Sequence, residues 1–140
     1  MILNSIQVET GLEPKDITGA AQTAQYVSMK NWEECAVVIQ QGAWAGGTPA
    51  VTLCKAKDVS ATGETTLAFT RYFSKAGKTA GQFSETTVSS NTFNLTATAN
   101  TLTVIPITAA MLGDGYDCFT VKVASPGSNA DLLSIEYVFS

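Results

Sequence analysis

The chain has 140 residues, 45% of them apolar and only 14% charged, with a formal net charge of −4 and no histidine. That length suits one domain able to bury roughly 70% of the surface its unfolded chain exposes. Without imidazole the commonest general base, the commonest metal ligand and every His-based triad are missing, and the scattered lysines and arginines form no stripe for phosphates. An enzyme and a nucleic-acid binder are therefore not expected.

In chain order, Met1–Gln25 reads as an N-terminal arm and linker, ahead of a single domain over 26–140. Glu9-Thr-Gly-Leu-Glu-Pro-Lys punctuates the arm, and Ile2, Leu3, Ile6, Val8 and Leu12 offer apolar anchors for a neighbouring subunit. The other reading makes Ile6 and Val8 a short edge strand of their own domain. The first residues lack a charged start followed by an apolar stretch of about 7–15 residues, so no export signal is read, and no run approaches a membrane span. Synthesis in a reducing cytoplasm follows, with Cys35, Cys54 and Cys118 as buried thiols. A bridge between Cys35 and Cys54 on neighbouring strands is sterically conceivable.

Glu34–Gln41 is rich in β-branched residues, Gly42–Pro49 is turn-forming and Val51–Val59 resumes a strand, the pattern of an antiparallel hairpin with a long tip. Trp32 is expected to cap the core. Trp44, in the Gly/Ala-rich tip, is assigned to a protein interface, with stacking on a sugar ring or folding back over the hairpin as the alternatives. Leu67–Phe73 is a strand with one mixed face, and Ser74–Thr92 reads as a long loop pinned by Phe83. Strands follow at Phe93–Thr98 and Thr101–Ile107, then one short helical turn near residues 108–113, capped by Thr108 and ended by Gly113. Phe119–Val123 and Leu132–Phe139 close the chain with clear period-2 alternation. Short strands with turn signals between them predict an all-β fold, a β-sandwich of jelly-roll or Greek-key type.

No catalytic, cofactor-binding or metal-binding residues emerge. Glu33 and Glu34 are adjacent, so in a strand they point to opposite faces, which argues against joint action. Asp114-Gly-Tyr-Asp117 has the look of a calcium turn but lacks the further oxygen ligands of such a loop. With so few charges, the exterior must be dominated by Ser, Thr, Asn, Gln, Gly and Ala. That suits a protein packed against copies of itself or a partner, and equally a plain β-rich domain.

The segment Tyr26–Leu67 resembles a family of small bacteriophage virion proteins, the capsid decoration or head cement proteins. Tyr26, Val27, Ser28, Lys30 and Asn31 carry the likeness, followed by Val38, Ile39, Gly42 and Ala43, then Val51, Thr52, Leu53, Ala56, Asp58, Val59, Thr62, Gly63 and Leu67. A weaker echo lies in Ile107, Met111, Leu112, Tyr116 and Asp117, while Lys55 and Thr65 stand where the pattern commonly has Gln and Lys. The resemblance implies a virion protein on the capsid exterior, made in the host cytoplasm, that binds the major capsid protein and bridges capsid subunits. It further implies a homo-oligomer, trimer favoured over dimer, with no cofactor, nucleic acid or membrane partner. The rival reading is a carbohydrate-binding or receptor-facing β-sandwich module using Trp44.

Overall fold

The computed structural model describes residues 5–77 and 81–140. Among the described residues, twelve strands and one helical turn follow one another. These are β1 (Gln7–Asp16), β2 (Gln22–Thr23), β3 (Val27–Ser28), β4 (Glu34–Trp44), β5 (Ala50–Ala56), β6 (Thr65–Thr66), β7 (Arg71–Lys75), β8 (Ser84–Thr87), β9 (Thr92–Asn94), β10 (Leu102–Thr108), α1 (Ala109–Leu112), β11 (Cys118–Val123) and β12 (Asp131–Phe139). The first sheet runs β1-β12-β4-β10-β7-β8; the second runs β2-β11-β5-β6, with β3 on β11 and β9 on β5. All pairings are antiparallel, and the two sheets pack as the expected sandwich.

Period-2 patterning explains the packing. Cys35, Val37 and Ile39 of β4, Ile105 and Ile107 of β10, and Leu133, Ile135, Tyr137 and Phe139 of β12 all point inward and are buried. They meet Val51 and Leu53 of β5 and Phe119, Val121 and Val123 of β11. Phe119 and Tyr137 meet edge to face, their ring centroids 5.4 Å apart, and the Tyr137 hydroxyl donates to the Gln25 carbonyl at 3.0 Å. Trp32 closes one end of this core, its ring 5.8 Å from that of Phe139. The helical turn ends where expected, with Gly113 at φ 79°.

The N-terminal segment differs from the arm and linker expected over residues 1–25. Gln7–Asp16 is an outer strand of the first sheet, paired with β12 from Gln7 against Phe139 to Asp16 against Leu132. Leu12 and Ile17 are buried in the chain's own core, and residues 17–25 then cross to the second sheet, where Gln22–Thr23 pairs with β11. Gly11 and Pro14 look like strand breakers in sequence. An edge strand tolerates both, because one side of it makes no ladder bonds and register shifts between Thr10 and Leu12 and between Leu12 and Lys15 absorb the irregularity. Gly11 also serves a close approach, since a Cβ there would sit 2.7 Å from Cε2 of Tyr137.

Further expectations are corrected as well. β4 and β5 form no hairpin: β4 pairs with β12 and β10, β5 pairs with β11, β6 and β9, and residues 45–49 cross from one sheet to the other. Cys35 and Cys54 consequently lie in opposite sheets, and all three cysteines are free thiols. The stretch read as a long loop over Ser74–Thr92 contains β8, paired with β7, and Val88 docks back into the core through its N–H bond to the Thr70 carbonyl. Phe83 is no pin: it is exposed, with the Lys75 ammonium 5.1 Å from its ring centroid.

Candidate interaction surface

The two outer faces of the sandwich differ in chemistry. The outward side of the second sheet carries a polar network beside the buried Cys54, Ala56 and Cys118. Lys122 donates to Glu64 at 2.5 Å, Tyr26 hydrogen-bonds the same carboxylate, and the Thr52 and Thr92 hydroxyls lie 3.3 Å apart. The hydrogen bond that Lys122 donates to Glu64 holds the lysine pKa above its ordinary value.

The first sheet presents apolar side chains outward. Cross-strand register places Val8, Val138, Ala36 and Pro106 in one row and Thr10, Glu136, Val38, Val104, Phe73 and Glu85 in the next. Ser134, Gln40, Leu102 and Lys75 form a third. Ala36, Val38, Leu102, Val104, Pro106 and Val138 are half-buried, and Val8 and Leu132 stay 53% and 43% exposed. Lone surface apolar residues are ordinary, but a contiguous field of them across neighbouring strands marks an interaction site. At one end of this face lies a groove of about 470 Å³ with Ile6, Ala36, Pro106 and Val138 among its apolar lining and Glu34 and Arg71 beside them.

Among the described residues no three His, Cys, Asp or Glu side chains are placed to hold a metal ion. Burial pushes the thiol of Cys35 up to about 12 and that of Cys118 up to about 11, so neither supplies a thiolate at neutral pH. Among the described residues no helix is long and apolar enough to cross a membrane.

The residues singled out from sequence fall in different places. Ile6 lines the groove and Val8 stands on the apolar face, whereas Leu12 is buried beneath it in the core. Ile2 and Leu3 lie outside the described residues. Trp44 is half-buried against the core at the far end of β4, and its indole N–H donates to the Gly47 carbonyl at 3.1 Å. The segment after it is held down by Asp131, fully buried, whose Oδ1 accepts from the Ala45 and Gly46 N–H groups at 2.7 and 3.3 Å. A ring fixed in this way offers less of a stacking platform than an exposed loop Trp would.

Sequence reasoning missed Ala36, Val38, Val104, Pro106 and Val138. The signal was present: Ala36-Val-Val-Ile39 and Val104-Ile-Pro-Ile107 are apolar at every position, not only at alternate ones. A strand apolar on both faces is either buried on both or covered by something else.

No protein-family model matches the chain, and no curated protein matches it in sequence. The crystal structure of the SPBc2 prophage-derived protein YomS is similar to it in fold, with a TM-score of 0.53 and 16% identity. The chain shares its architecture with a prophage protein. The likeness covers 96% of this chain and 93% of YomS, so it takes in both sheets.

Proposed function

We propose that the protein is a structural component of a bacteriophage particle that works by adhesion. The apolar outward face of the first sheet carries this reading, because a face of that size has no role in the chain's own core and would be shielded in an assembly. The likeness to YomS and the resemblance of Tyr26–Leu67 to head cement proteins support a phage setting. In the finer form of the proposal, the protein binds the outer surface of the capsid, contacts the major capsid protein and bridges its subunits. Contacts of about 800 Å² per partner, repeated around a symmetric shell, give avidity from modest single affinities.

Co-sedimentation with capsids lacking the protein tests this. The purified chain should pellet with such shells, saturate at a fixed ratio and raise their melting temperature. Failure to pellet with any shell would contradict the capsid reading.

A further inference from the structure

The outward face of the first sheet carries a charge polarity across its width. On one side β12 contributes Glu136, which has no ion pair or hydrogen bond among the described residues; on the other, β7 contributes Arg71 and Lys75 on either side of Phe73. Between them the central strands β4 and β10 present Val38 and Val104, with Glu34 at the end of β4 opposite Thr108 as their charged residue on this face. Arg71 reaches Glu85 on β8 only at 3.9 Å, with both side chains about half exposed, so its charge is not consumed within the chain.

Such a face is complementary to itself under one particular rotation. A two-fold axis lying along the strands, between β4 and β10, sets β12 of one copy over β7 of the other and β4 over β10. Glu136 then lies opposite Phe73, between Arg71 and Lys75 of the other copy, and Val38 meets Val104 at the centre. Glu85 comes over Thr10, so no carboxylate meets another. The alternative in-plane axis, perpendicular to the strands, would stack the two β7 strands and bring like charges together. The geometry points to a pair of copies packed through these faces, forming a four-layer sandwich closed by a two-fold axis.

The area is adequate. Six strands about 4.8 Å apart and about seven residues of 3.4 Å each give roughly 600–700 Å² per copy, close to the ~800 Å² per partner of a stable interface. A closed pair differs from the trimer implied by the head cement resemblance, and because it covers the face on which the proposed function rests, a paired protein would attach to a capsid through its other surfaces.

Sedimentation equilibrium of the full chain up to about 100 μM, at low and high salt, tests the pairing. The expected mass is twice the 14.7 kDa of the chain. Val38→Glu should make it monomeric with an unchanged circular dichroism spectrum. Glu136→Lys, on an exposed site where folding is not at risk, should weaken pairing at least about tenfold at low salt, as should Arg71→Glu combined with Lys75→Glu. Uniting all three charge reversals should restore it. A chain that stays at 14.7 kDa throughout, a mass three times that value, or a dimer indifferent to Val38→Glu and to the charge reversals would overturn the proposal.

Discussion

Certain single residues hold this fold through contacts that their replacement would break. Gly11 is one, because Tyr137, against which an added Cβ would press, is fully buried and cannot swing aside. Gly11→Ala is expected to lower stability by about 1–3 kcal/mol in urea denaturation, through overpacking rather than through backbone conformation. Asp131 is another: Asp131→Ala would leave the Ala45 and Gly46 N–H groups without their shared acceptor, at a cost of about 1–3 kcal/mol, and should speed proteolysis within residues 42–49. The buried thiols make a third prediction. Cys35 is held near 12 and Cys118 near 11 against an ordinary 9, so above pH 9 the unfolded chain loses protons that the folded chain keeps. Fewer protons bound by the unfolded state means that stability falls as pH rises. Melting temperature should therefore decline from about pH 9 upward, with a shallower slope in Cys35→Ala.

At the scale of elements, β1 decides how the N-terminus behaves. It covers the outer edge of β12 and contributes Leu12 to the core, so removing residues 2–12 should lower the melting temperature by several degrees rather than merely detach an arm. A truncated chain that melts like the full one would contradict this placement. The strands themselves were legible where alternation was strict, as in Leu132–Phe139 and Phe119–Val123, since each buries one face on a common core. β1 was obscured by Gly11 and Pro14, which signal breaks in isolation yet are tolerated at a sheet edge. The β4–β5 relation was obscured differently, because the same Gly-rich turn chemistry serves a hairpin and a crossover between sheets, and only the pairing of distant strands distinguishes them. β8 escaped notice because Ser84-Glu-Thr-Thr87 is polar throughout and exposed at every position, leaving no periodicity to read.

For the whole molecule, the contrast between outer faces is the feature that bears on function. The second sheet is finished with hydroxyls and an ion pair, while the first carries apolar rows that only a partner would cover. Of the interface residues read from sequence, Val8 and Ile6 belong to that surface, but Val38 and Val104 at its centre were not among them. Alternation arguments ask which face is buried and pass over strands apolar on both. If this chain is an adhesive part of a phage particle, high-resolution images of particles with and without it should differ by ordered, repeating density of this sandwich on the outside of the shell, present only where the protein is. Particles identical in the two preparations would contradict it.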